Sequence, residues 1–214
     1  ESPTHLLRLD EAMLGLSEYL ESEGIAHGDI QLKNIVVSGE GTIVRLIDYD
    51  GMYIKDLDKF ASSESGYPNF QHPQRQKAAV YGSHVDRFSF IAVHLALKAL
   101  SVDPLIWAET DSDEDIKLVF EAKDYAKPKS SQTLQRLAAY PELAEDVEKF
   151  SRVCQSILDK APTLSDFILG RNILGFTPKV SYDSTSPRRY VSPWPVITKF
   201  DPEELGKHNN SVVE

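Results

Sequence analysis

Apolar residues recur along the first third of the chain with two different periods. Over residues 10–23 they fall at Met13, Leu14, Leu16 and Leu20, with Tyr19 beside them. Spacings of three and four residues gather side chains on one helix face. The segment therefore predicts a helix, with Asp10 as its N-cap and Gly24 as the residue that ends it. Residues 1–9 carry no comparable pattern. The period then shortens. Residues 35–37 (Ile-Val-Val) and 43–47 (Ile-Val-Arg-Leu-Ile) are rich in β-branched side chains, and Ser38-Gly39-Glu40-Gly41 between them has turn chemistry. Together they predict a β-hairpin.

Residues 49–75 have no period and carry Gly51, Gly66, Pro68 and Pro73 among the aromatics Tyr53, Phe60, Tyr67 and Phe70. A loop of this length inside a compact domain is usually functional or disordered. Residues 84–101 are apolar nearly all the way round, as buried helices are, and Asp86 stands at their start. The acidic run 109–115 reads as a loop entering a helix N-terminus, where negative charge is favoured. Ile116, Leu118, Val119 and Phe120 are expected to continue that helix. Three more helices are predicted at 134–139, 143–158 and 164–169, with breaks at Pro141 and Pro162. From Phe176 onward, prolines at 178, 187, 193, 195 and 202 exclude long regular structure. The expected organisation is a mainly α body of the α+β kind over residues 1–175, followed by a Pro-rich extended tail or linker over 176–214.

Composition narrows the function classes. A chain of 214 residues suffices for one sizeable core or two small domains, and 41% hydrophobic with 26% charged residues is ordinary for a soluble globular protein. A net charge of −10 leaves no basic footprint for nucleic acid and no polybasic membrane patch. No apolar run approaches membrane-spanning length, and the first residues hold no signal-peptide core. Cys154 is the one cysteine, so no disulfide forms within the chain. A reducing, cytoplasmic setting and a buried, inert thiol are expected. His5, His72, His84, His94 and His208 show no metal-ligand spacing.

The chemistry concentrates around the hairpin. Asp29 lies in a short polar loop, His27-Gly28-Asp29, and Asn34 follows five residues later. Asp48 stands where the second β-branched run ends. If the hairpin returns Asp48 beside Asn34, two acids and one carboxamide converge. Phosphoryl transfer asks a protein for such a set: a carboxylate to orient the attacking hydroxyl, and oxygen ligands to hold Mg²⁺ on the phosphates. The alternative is a turn acid, a turn amide and a strand-end acid with local roles only. Asp86, next to the apolar stretch, would need fixed hydrogen-bond donors once buried, so it is expected to bond rather than to catalyse.

The order of these elements resembles the C-terminal lobe of eukaryotic-like protein kinases, over roughly residues 5–172. His27-Gly28-Asp29-Ile30 through Asn34 is similar to the catalytic loop His-Arg-Asp-Leu-x-x-x-x-Asn. Asp48-Tyr49-Asp50 sits where Asp-Phe-Gly belongs. Phe70-Gln71-His72-Pro73-Gln74 resembles the segment Tyr-x-Ala-Pro-Glu, and Asp86-Arg87-Phe88-Ser89 resembles the Asp-x-Trp-Ser opening of the buried helix. Four matches in order weigh more than any one. The resemblance implies Asp29 as catalytic base or hydroxyl-orienting acid, and Asn34 and Asp48 as the ligands of Mg²⁺ on ATP. It implies residues 49–74 as an activation segment, His27 as a packing hub, and Asp86 as the acceptor for backbone amides of the loop.

Departures from the family pattern carry their own implications. Gly28 replaces the arginine that docks a phosphorylated activation loop, and His-Gly-Asp is the form found in aminoglycoside-phosphotransferase-like kinases. Gln31 replaces the lysine that touches the transferred phosphate, a role Lys33 is placed to take over. Asp50 replaces a glycine; it adds a carboxylate near the metals or stiffens the turn. Gln74 replaces a glutamate. These features resemble divergent, bacterial-type members of the family. The glycine-rich loop and strand lysine have no counterpart, so the resemblance implies an N-terminal lobe supplied from outside these 214 residues and no ATP-dependent transfer without it. The function it implies is transfer of phosphate to Ser or Thr of a protein substrate. A small-molecule kinase of aminoglycoside-phosphotransferase type and a pseudokinase binding module are the alternatives.

Overall fold

The computed structural model describes residues 3–56, 65–75, 80–110 and 117–178, all within one compact unit. The expected tail from 179 onward, Phe60, residues 111–115 of the acidic run and Ile116 lie outside the described residues.

Helix α1 spans Pro3–Glu23. It starts at Pro3, where a proline suits the first turn, and not after Asp10. The apolar stripe runs further back than the pattern after Asp10 suggests, because Leu6 and Leu9 pack against the core ahead of Met13 and Leu20. Asp10 is therefore mid-helix, and its Oδ1 pairs with His94 Nδ1 at 2.7 Å. At the other end Gly24 takes φ +65. The Ile25 N–H returns to Leu20 O at 3.0 Å and the Gly24 N–H to Glu21 O at 3.2 Å. These two bonds close the last turn as a left-handed C-cap, as expected of that glycine.

Strands β1 (Ile35–Ser38) and β2 (Ile43–Leu46) pair antiparallel, with Ile35 opposite Leu46 and Ser38 opposite Ile43. Gly39–Gly41 makes the turn. Gly41 has φ +88, and a Cβ there would stand 2.8 Å from the His5 carbonyl oxygen, so the tip of the hairpin lies directly against α1.

Helix α2 (Arg87–Val102) is the centre of the body. Phe88, Ile91, Leu95 and Ala99 are wholly buried along it. Around it lie α3 (Leu105–Thr110), α4 (Ala122–Ala126), α5 (Gln132–Ala138), α6 (Pro141–Gln155) and α7 (Leu164–Ile168). Phe88 meets Tyr125, His72 and Phe150 at ring separations of 5.0, 5.1 and 5.5 Å. Contacts of this kind add to the area they bury. Pro141 begins α6, and α6 ends at Gln155, short of Leu158. Leu118, Val119 and Phe120 do not form the expected helix. All three are buried in an irregular segment, and Phe120 packs against Phe150 and Tyr125 at ring separations of 5.4 and 6.1 Å. The helix begins instead at Ala122, after a capping box between Glu121 and Asp124. The structure is thus mainly helical with one two-stranded antiparallel sheet. Among the described residues no helix is long and apolar enough to cross a membrane.

Cys154 is buried, and burial pushes its thiol well above the ordinary range, as expected for an inert cysteine. His72 is buried too. Its Nδ1 accepts from the Gln74 N–H at 3.2 Å, so Nε2–H donates to Val153 O at 3.3 Å. Burial pushes its pKa below 6.5, against a smaller upward pull from Val153. The unfolded chain therefore takes up this proton first, and stability falls as pH drops below the ordinary histidine range. Thermal unfolding should show Tm falling between pH 7 and pH 5, with a shallower fall in His72→Gln. Equal slopes would show that His72 has no part in it.

Candidate functional site

The polar loop after α1 is fastened on three sides. Ala26 pairs with Tyr53 as an antiparallel bridge, its N–H and carbonyl bonding at 3.1 and 2.7 Å. The N–H groups of His27 and Gly28 donate to Asp86 Oδ2 and Oδ1 at 2.5 and 2.9 Å. One carboxylate at the head of α2 thus satisfies two successive buried amides. Burial pushes the Asp86 pKa up; the Gly28 and His27 N–H bonds and the Arg75 charge pull it down. The third fastening is the His27 ring. It accepts from the Asp29 N–H on Nδ1 at 3.3 Å, so Nε2–H faces Ile47 O at 3.0 Å, tying the loop to the end of β2. Tyr49 lies edge-on to the same ring at 5.7 Å. His27 and Asp86 hold the positions expected of a packing hub and an amide acceptor.

Gly28 has φ +87, and a Cβ on it would fall 2.3 Å from the Gly51 carbonyl oxygen. Only glycine meets both conditions. The close approach of Gly51 follows from the turn at Asp50, where the Met52 N–H closes onto Tyr49 O at 3.0 Å.

Asp29 is half-buried and fully engaged. Its Oδ1 accepts the Tyr67 N–H at 2.9 Å; its Oδ2 accepts Gln31 Nε2 at 2.5 Å and Asn34 Nδ2 at 3.0 Å. Asn34 Nδ2 also donates to the Asp29 carbonyl at 2.9 Å. With both amide hydrogens directed at Asp29, the Asn34 Oδ1 is the end left to act as a ligand. The hairpin brings Asp48 alongside: the Ile47 N–H donates to Asn34 O at 3.0 Å, one residue beyond the strand register. Asp48 is exposed and takes φ +67. Aspartate tolerates this left-handed conformation better than most residues, and such backbone strain collects at functional turns. Lys33 and Asp50 are both exposed. The structure therefore joins Asp29 to Asn34 directly, and joins Ile47, the residue before Asp48, to Asn34 through backbone. Lys33 sits between Leu32 and Asn34 in a single 3₁₀ turn, and Asp50 at the outer turn.

Two contributors were not foreseen. Gln31, noted only for the lysine it replaces, donates to Asp29. Arg75 is 2% exposed and donates from Nη1 to Gln71 Oε1 at 2.8 Å. Burial pulls its guanidinium below its usual pKa, and Asp86 and Asp29 act against that pull. Gln74, for its part, accepts the Leu158 N–H on Oε1 at 2.8 Å.

Chemically, the arrangement presents an oriented carboxylate bonded to a carboxamide, with a second, exposed carboxylate one residue past the Ile47 N–H bond to Asn34. Among the described residues no group of three or more His, Cys, Asp or Glu is placed to hold a metal ion. The donor set that remains, one carboxamide with one or two carboxylates, fits Mg²⁺, which takes few protein ligands and keeps its other positions for water and phosphate oxygens. No model of a known protein family matches the chain, and no curated protein matches it.

Gly28→Ala should lower stability by about 1–3 kcal/mol, read by urea unfolding. An unchanged midpoint would mean that the Gly51 carbonyl gives way freely.

Proposed function

We propose that this chain is the catalytic half of a protein-kinase-like enzyme that transfers the terminal phosphate of ATP, with Mg²⁺, to Ser or Thr of a protein substrate. In this reading residues 1–175 correspond to the C-terminal lobe, and the lobe that covers the nucleotide is supplied from outside the 214 residues. The observation that supports it is the engagement of Asn34: its side-chain amide is committed to Asp29, while its carbonyl accepts the N–H of Ile47, the residue before Asp48. An acid, a carboxamide and an acid then share one end of the hairpin, as the order of motifs anticipates.

Asp29 orients the attacking hydroxyl and takes its proton as the new bond forms. The donors already on Asp29 fix its rotamer before substrate arrives. Asn34 Oδ1 and the Asp48 carboxylate would hold Mg²⁺, which when bound neutralises charge on the phosphates; Asp50 is the nearest further carboxylate in sequence. Lys33 is the cation assigned to the transferred phosphate, since Gln31 carries no charge. The contact from Tyr67 favours a protein substrate. It ties the segment that resembles an activation loop to the acid at Tyr67. The small-molecule alternative draws on Gly28, whose Cβ-free approach to Gly51 makes His-Gly-Asp obligatory here.

The test uses the full-length protein with Mg²⁺ and γ-labelled ATP. Label on protein is expected, with Asp29→Asn lowering the rate at least ~100-fold and nucleotide affinity staying within about threefold. Label only on added alcohols or amino sugars would assign the small-molecule reading. Nucleotide binding without transfer would make the chain a binding module.

A further inference from the structure

Position 28 cannot carry a side chain, yet a positive charge lies beside it. The outer nitrogen of Arg75, Nη2, is 3.5 Å from where a Gly28 Cβ would stand. Arg75 is among the largest wholly buried side chains of the protein. A buried guanidinium needs partners for its charge and its donors. Among the described residues Nη1 has Gln71 Oε1, Nε has no hydrogen-bond partner, and the carboxylates acting on the charge are Asp86 and Asp29. One of these holds the His27 and Gly28 amides, and the other is the acid of the site. The segment that delivers Arg75 also delivers the Tyr67 N–H to Asp29 Oδ1 at 2.9 Å. Residues 67–75 therefore hold the acid loop at two places, by a backbone amide and by a buried cation.

We infer that Arg75 is the positioning cation of the acid loop, holding Asp86 and Asp29 in register from the end of segment 65–75. It does from outside the loop what no side chain at position 28 can do. For catalysis the inference rests on the phosphoryl-transfer reading; for loop order it does not. A purely packing role would be served by any side chain of similar volume. Here the charge enters through its setting: the guanidinium is buried beside Gly28, whose N–H bonds Asp86, and the charges of Asp86 and Asp29 act on it. Gln71 is the mount: its Oε1 fixes the guanidinium, and its own Nε2 lies 2.4 Å from the Cβ position of Gly66, next to Asp29 Oδ1 at 3.0 Å from that point. The acid, its counter-charge and the mount are thus packed around two glycines.

Amide hydrogen exchange on the 214-residue chain reads the loop directly. Arg75→Met should speed exchange at the Gly28 N–H at least ~10-fold while amides in the middle of α2 keep their rates, and Arg75→Lys should recover most of the protection. Equal acceleration in α2, or no acceleration at Gly28, overturns the inference. In the full-length protein with Mg²⁺ and ATP, Arg75→Met should lower kcat for ADP release at least ~10-fold with KM for ATP within ~2-fold. Loss shared equally by Arg75→Lys would overturn the role of charge. If the wild-type protein releases no ADP, the phosphoryl-transfer reading fails, and exchange at Gly28 alone decides on Arg75. Should Arg75→Met not fold, Gln71→Leu takes its place, with Gly28 exchange expected ~3-fold faster and an unchanged rate counting against the inference.

Discussion

Two adjacent backbone amides, buried where no water reaches them, must find an acceptor, and a single carboxylate at the head of a buried helix serves both. The Asp86 contacts to His27 and Gly28 join the buried helix α2 to the polar loop. A carboxylate removed from water is costly unless its oxygens are matched by donors and its charge by a cation. Here the donors are backbone N–H groups and the cation is Arg75. Because the helix below is buried along most of its length, it cannot rotate to relieve a mismatch without exposing core. The loop must conform to the helix.

The remaining geometry follows from that attachment. With His27 and Gly28 fixed, the imidazole reaches the last residues of β2, and Gly28 permits the Gly51 carbonyl to come close. The hairpin itself is short, with Val36 and Val37 both over 40% exposed; a two-stranded ribbon of this kind is marginal alone. Its register is set where it touches the body, at α1 through Gly41 and at the polar loop through Asn34 and His27. The acid Asp29 is then gripped by donors from two stretches, residues 31 and 34 of its own loop and residue 67 of the segment 65–75. Order at the site thus combines local bonds with tertiary ones.

Legibility from sequence follows the same division. The hairpin, the all-round apolar helix and the bonding role of Asp86 were readable, because period and burial cost are local properties of the chain. The start of α1 was not, since Leu6 and Leu9 look unpatterned until Met13 and Leu20 show which face they extend. Residues 118–120 misled for the opposite reason: a run of apolar residues suits a helix or an irregular buried strand equally, and the aromatic cluster around Phe150 decides. Arg75 could not be read at all, because an arginine in a polar string belongs to solvent by default, and only long-range packing puts it behind Asp29. The convergence of Asp29 and Asn34 was readable, conditional on the hairpin; Gln31 entered as an absence and proved to be a donor.

Removal of the Asp86 carboxylate tests the central attachment most directly. Equilibrium urea unfolding of Asp86→Ala is predicted to show a loss of about 3–5 kcal/mol, the cost of leaving a buried cation and two amides without their partner. A loss below about 1 kcal/mol, the size of an ordinary surface substitution, would contradict it.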